Sequence, residues 1–212
     1  QARAAPPEPA ASGLLSRAPP APPTVFARRP SAAMDAARLA RRLARRLSRP
    51  APHRRADLED LPVLDGERLH RDVPAERWCV ERQDLVDFRA IVSRYVAEGL
   101  LVPTTQDPFS ASDDRMGPCI HTVNSQLIVP ITRRAGRVSW ALMLHPDGLL
   151  CDLFVTHGWQ EGAYEFIDKV CYSWPAGARH AYCCMLSNPQ CLDVNDLITS
   201  PRESPFAKAL FA

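Results

Sequence analysis

The chain has 212 residues, with 26 Lys and Arg against 24 Asp and Glu, a net charge of +2 and 46% hydrophobic residues, enough for one ordinary domain with extensions. A charge this balanced gives no ground for specific nucleic-acid binding, no apolar run reaches the roughly 20 residues of a bilayer span, and no secretory apolar segment precedes a cleavage site. Seven cysteines without a C-x-x-C pair and six scattered histidines lack zinc-ligand spacing, so no metal is expected, and the thiols read as small hydrophobes of an intracellular, cytoplasmic protein.

Residues 1–56 are expected to form a disordered Pro/Ala/Arg-rich leader. The first 49 residues carry ten Arg against one Asp and one Glu, and prolines from Pro6 to Pro30 interrupt any helix or central strand. Within it, Leu39, Leu43 and Leu47 recur every fourth residue among arginines, with Asp35 as a cap and Pro50 as a stop, which predicts a basic amphipathic helix over 35–49. Such a helix fits contact with an anionic membrane surface or with organellar import machinery, and equally a solvated helix produced by biased composition. The opening Gln1 points to a fragment or a processed product, with Met34 as an alternative start.

Acidic and large apolar residues begin at Asp57, and residues 57–138 read as a helical, loop-rich part. Leu85, Phe88, Ile91, Val92, Tyr95 and Val96 mark one face of a helix over Gln83–Glu98, closed by Gly99. Pro103, Asp107-Pro108 and Gly117-Pro118 write a loop, and Gln126–Ile131 is expected as a short edge strand ending at Pro130. Ser139–Leu144 fits helix or strand, and His145-Pro146-Asp147-Gly148 is a turn.

Residues 139–212 read as an α/β domain. Leu153–Val155 is a strand that ends near His157 and Gly158. Ala163, Phe166, Ile167, Val170 and Trp174 lie on one face of a helix stopped by Pro175 and Gly177, and Ala181–Leu186 is expected as a second buried strand. Two strands buried on both faces, with a helix between them, predict a βαβ unit in a small parallel sheet. Asp193–Leu197 is expected to make one helical turn and Pro205–Leu210 to begin a helix. The sheet lacks a closing strand before Ala212, so the domain is expected to be C-terminally truncated.

Ligands of open parallel sheets bind beyond the carboxyl ends of the strands. Those ends carry Thr156, His157 and Trp159 on one strand and Asn188 and Gln190 on the other, and Arg202 precedes the last helix. Of these, Thr156, His157, Trp159, Asn188 and Arg202 are the candidate ligand-binding residues, and no catalytic residue is assigned. His157 is either an acid/base or hydrogen-bonding group beside a ligand or a strand-end cap, and Trp159 either stacks on a ligand or covers the core. Glu161 and Glu165, one turn apart near a helix start, are expected as solvated charges favoured by the helix dipole.

The run D-L-F-V-T-H-G-W from Asp152 to Trp159, followed by an amphipathic helix and then S-N-P-Q, resembles an uncharacterised family of algae and protists whose members read F-V-[ST]-H-x-W. The match spans Trp140 to Ala212 and brings no established activity. More distantly, Asp152, Phe154 and Thr156 are similar to the first-strand motif D-V-F-[IL]-S-[YH] of Toll/interleukin receptor (TIR) domains, and Arg202 to Ala209 fall where that family's loop and next helix begin. The second resemblance implies a flavodoxin-like strand order and an intracellular interaction or signalling module that binds a protein partner or itself. It implies NAD as the one conceivable cofactor. Enzymatic members cleave NAD with a glutamate in a W-C-x-x-E helix, which here would lie beyond Ala212; Trp78-Cys79-Val80-Glu81 has the wrong spacing and precedes the first strand, so Glu81 receives no such role. The alternatives are that NAD-cleaving hydrolase and a structural domain without a ligand.

Overall fold

The computed structural model describes residues 63–192, 200, 202 and 204–211; the leader 1–56 with its basic helix 35–49, and the turn expected over 193–197, lie outside them. The chain opens with α1 (Gly66–Asp72), a 3-10 turn at Ala75–Arg77 and the two-residue strand β1 (Val80–Glu81). The long helix α2 (Arg82–Ala97) follows. All six apolar positions of its expected stripe are buried. Its start is fixed by Asp84, whose carboxylate accepts the Glu81 N–H at 2.7 Å, and its end by Gly99 at φ +67°.

The segment expected as a strand over Gln126–Ile131 is helical instead. Helix α3 (Ile120–Val123) passes through a π-helical turn, Asn124–Ile128, into α4 (Val129–Arg134). Ile120, Val123, Leu127, Ile128 and Ile131 are buried at helical spacing, so burial of this face outweighs the β-branched composition. Pro130 supplies no backbone N–H, and the wide π turn directly before it absorbs the missing rung. Ser139–Leu144 resolves as helix α5 (Trp140–Leu144), with the Ser139 hydroxyl accepting the Leu142 N–H at 3.2 Å.

Strand β2 (Leu153–Val155), helix α6 (Ala163–Tyr172) and strand β3 (His180–Cys183) form the expected parallel βαβ unit, with Leu153 opposite Ala181, Phe154 opposite Tyr182 and Val155 opposite Cys183. The sheet as a whole is mixed and not parallel. Strand β1 pairs antiparallel with β3, Val80 opposite Ala181 and Glu81 opposite His180, giving the order β1-β3-β2. The boundary drawn at residue 138 therefore runs through the sheet. A second correction concerns Ala181–Leu186, where the strand stops at Cys183 and the helical turn α7 (Cys184–Ser187) begins. The Ser187 hydroxyl accepts the Cys183 N–H at 2.9 Å, which closes the turn from inside the core. A third concerns β2, which is a half-buried edge strand, because among the described residues no strand covers its outer side.

The core sits between the sheet, α2, α5 and α6. Phe88 and Trp140 meet edge to face with centroids 5.0 Å apart, and both are almost fully buried. Each such side chain contributes about 1.5–3 kcal/mol by leaving water. The last helix, α8 (Pro205–Leu210), is capped by Ser204 and packs on the 3-10 turn, while Phe206 lays its edge against Phe154 at 4.7 Å. Among the described residues, no helix is long and apolar enough to cross a membrane.

Candidate functional site

Because β2 and β3 are parallel with Val155 opposite Cys183, the residues after each leave the sheet side by side. His157 and Cys184 meet there, Nε2 to Sγ at 2.9 Å. The His157 ring stands edge-on to Trp159 at 5.1 Å and to Phe166 at 5.5 Å. Burial lowers the pKa of His157 and raises that of Cys184, so both shifts favour a neutral imidazole beside a protonated thiol. Among the described residues no carboxylate hydrogen-bonds the His157 Nδ1 atom, so the pair lacks the acidic third member of a nucleophilic triad. A thiolate nucleophile needs the opposite electrostatics, and the pair closes the strand ends as a hydrogen bond between neutral groups.

In front of this pair lies a cleft of about 460 Å³ lined by Gln106, His121, Asn124, Trp159, Gln160 and Gln190. Its walls come from distant parts of the chain and are pinned by backbone bonds. His121 N–H donates to Trp159 O at 3.0 Å and Ile120 N–H to Glu161 O at 2.9 Å, fastening α3 to the loop after β2. The Asp107 carboxylate accepts the Cys119 N–H at 2.8 Å and holds the loop that carries Gln106. Gln190 donates from Nε2 to Cys184 O at 3.0 Å, which ties the third wall to α7. A smaller recess of about 230 Å³ shares Gln106, His121 and Gln160 and reaches Thr104, Cys119 and Ser125.

No Lys, Arg, Asp or Glu lines the larger cleft. Its polar capacity is that of neutral amides and an imidazole, beside the indole of Trp159, which is 40% exposed. Asn124 stands at the first position of the π turn, and its Oδ1 is buried with no partner. A buried acceptor left unpaired costs about 1–3 kcal/mol, so this atom calls for a donor.

Of the residues expected at the site, Trp159 lines the cleft and His157 supports Trp159 from behind. Asn188 is set back, with Oδ1 accepting the Tyr182 hydroxyl at 2.5 Å and its carbonyl facing Gln190 Nε2 at 3.4 Å. Thr156 and Arg202 are exposed and do not line the cleft. Glu161 and Glu165 both face Lys169, at 3.8 and 2.8 Å. Gln106, His121, Asn124 and Gln160 escaped the sequence reading. His121 and Asn124 lie one turn apart, on the face left free by Ile120, Val123 and Leu127, a pattern hidden by reading this stretch as loop and strand.

A second groove, of about 550 Å³, is lined by Asp113, Asp114, Arg115, Met116, Glu165, Asp168 and Lys169. Its charges are largely satisfied within the protein. Asp168 meets Arg89 at 2.7 Å, and Asp113 accepts the N–H groups of Arg115, Met116 and Gly117, which hold its carboxyl below the usual range. Among the described residues, no group of three or more His, Cys, Asp or Glu side chains is placed to hold a metal ion.

Comparisons with protein-family models, with curated proteins and with solved structures find no match. The class is set by the architecture alone, a mixed α/β fold whose βαβ unit opens an amide-lined cleft beyond its parallel strands.

Proposed function

We propose that this chain is an interaction module of TIR-like α/β type that binds, in the cleft before Trp159, an uncharged planar group bearing an N–H donor, such as a nicotinamide carboxamide or an adenine base. The observation that carries the reading is the lining itself, the side-chain amides of Gln106, Asn124, Gln160 and Gln190 beside the half-exposed indole of Trp159, with no Lys, Arg, Asp or Glu among them. A ligand N–H would pair with an amide oxygen of that wall, and the exposed indole of Trp159 offers a stacking face of the kind that contributes about 1–3 kcal/mol per base. The TIR-like element of the proposal is supported by Asp152, Phe154 and Thr156 at the start of the parallel βαβ unit.

Binding without cleavage is favoured over the NAD-cleaving hydrolase. Glycosidic cleavage by that class uses a carboxylate, and the lining residues supply none; they also lack the Lys or Arg that would hold a pyrophosphate. The test is a fluorescence titration with nicotinamide and with adenosine. The chain has four Trp; a saturable change that Trp159→Phe removes, and whose affinity falls about tenfold in Asn124→Ala, is expected from the loss of one hydrogen bond of about 1.4 kcal/mol. A linear, unsaturable change, identical in both variants, would leave the purely structural domain as the reading.

A further inference from the structure

Two cysteines far apart in sequence converge at the edge of the sheet. Cys79 immediately precedes β1, and Cys151 lies just before β2. Both lean on one carbonyl, that of Glu76, which accepts the Cys151 N–H at 3.0 Å and faces the Cys79 Sγ at 3.8 Å. A second rung, Leu149 N–H to Arg77 O at 2.8 Å, holds the two segments against each other. The Cys151 Sγ faces Leu153 O at 3.5 Å, and each sulfur lies near enough to the other to bear on its ionisation. Cys79 is 1% exposed, whereas Cys151 is half-buried and so open to a small reagent.

Exposure divides the two sulfurs chemically, since Cys151 can be reached by a small reagent and Cys79 cannot. The Cys79 thiol beside it, with the backbone of Tyr182, draws the pKa of Cys151 down, while the Cys151 sulfur and burial push that of Cys79 up. Asp152 is the other charged group that bears on both, and it is occupied by the backbone N–H groups of Arg179 and His180 at 3.0 and 3.2 Å.

We propose that Cys79 and Cys151 are an oxidant-sensitive pair in which Cys151 is the reacting sulfur and Cys79 closes a disulfide onto it. With a peroxide as oxidant, the Cys151 thiolate attacks one peroxide oxygen, the O–O bond breaks, and a sulfenic acid and one water result. The Cys79 sulfur then attacks the Cys151 sulfur, the S–O bond breaks, the Cys79 proton leaves with the hydroxyl, and a second water forms. Two thiols and one peroxide thus give one disulfide and two waters. The bond ties the segment before β1 to the segment before β2, across β3. This inference is independent of the ligand proposed for the cleft.

The full chain is treated with one equivalent of hydrogen peroxide, blocked with N-ethylmaleimide and mapped by mass spectrometry. The expected result is a Cys79–Cys151 linked peptide as the main oxidised product, absent in Cys151→Ser. In Cys79→Ala the sulfenic acid should persist on Cys151 and be trapped by dimedone. A brief pulse of iodoacetamide on the unmodified chain at neutral pH should label Cys151 at least tenfold faster than Cys171 or Cys191, a readout that needs no variant to fold. First oxidation at another cysteine, or Cys151 labelling no faster than those two, overturns the proposal.

Discussion

His70 shows how far a single buried residue ties stability to pH. It is 7% exposed, its Nδ1 lies 2.6 Å from Gly66 O and its Nε2 accepts the Ser139 N–H at 3.2 Å. These partners fix the neutral tautomer with the proton on Nδ1. Burial holds its pKa near 4, against 6.5 in the unfolded chain. A depressed folded-state pKa means that the unfolded chain takes up the proton first, so this stabilisation is full above about pH 6.5 and is lost as pH falls toward 4. The loss expected from His70 is about 3 kcal/mol. Urea denaturation from pH 8 to 4 should show that decline, and His70→Gln, although less stable throughout, should flatten it; an unchanged slope in the variant would assign the dependence to other groups. Asp84 is a second residue whose single side chain holds several parts together. One oxygen of its carboxylate receives the Glu81 N–H and the His145 Nε2, both at 2.7 Å, so Asp84→Ala removes the α2 cap and a charged partner of a buried imidazole. Its expected cost is about 2–4 kcal/mol in a urea melt, and a loss below about 0.5 kcal/mol would show that water replaces both bonds.

At the scale of elements, the turn between α4 and α5 is the tightest constraint. Gly136 has φ +100°, and a Cβ there would fall 1.8 Å from Leu64 O, in the same place where Leu64 N–H donates to Ala135 O at 2.8 Å. Gly136→Ala should therefore cost about 3 kcal/mol or more, measured as a fall in melting temperature of well over 5 °C. Helices α2 and α6 were legible because long amphipathic faces repeat at one period, and Leu85 to Val96 alone determine α2. The βαβ unit was legible for the same reason, since two short apolar runs flank α6. Strand β1 was not legible, because two residues, Val80 and Glu81, carry no period and pair only through the distant β3. The misreadings at 126–131 and 181–186 share a cause. Pro130 and a short apolar run both mimic strand signals, while what decides the outcome is tertiary: burial of the Ile120–Ile131 face in one case and the Ser187 hydroxyl in the other. The cleft was accordingly half legible. The strand-end rule found Trp159, whereas Asn124 and His121 depended on a helix that Pro130 concealed.

For the whole molecule, the sheet, α3 and the loop at 104–107 meet where neither half of the chain alone makes a site. The place combines an exposed indole, four side-chain amides and the His121 imidazole, with no Lys, Arg, Asp or Glu among its lining residues. The other groove is charged and internally paired, so a neutral ligand should discriminate sharply between the two. The most direct measurement is a nitrogen-15 NMR titration of the full chain with nicotinamide. The side-chain amide signals of Gln106, Asn124, Gln160 and Gln190 should shift together along one saturating curve, the largest change at Asn124, with those around Asp113 and Lys169 unmoved. Amide signals that stay in place at saturating nicotinamide, or that shift first around Asp113 and Lys169, would contradict a ligand site at the ends of the parallel strands.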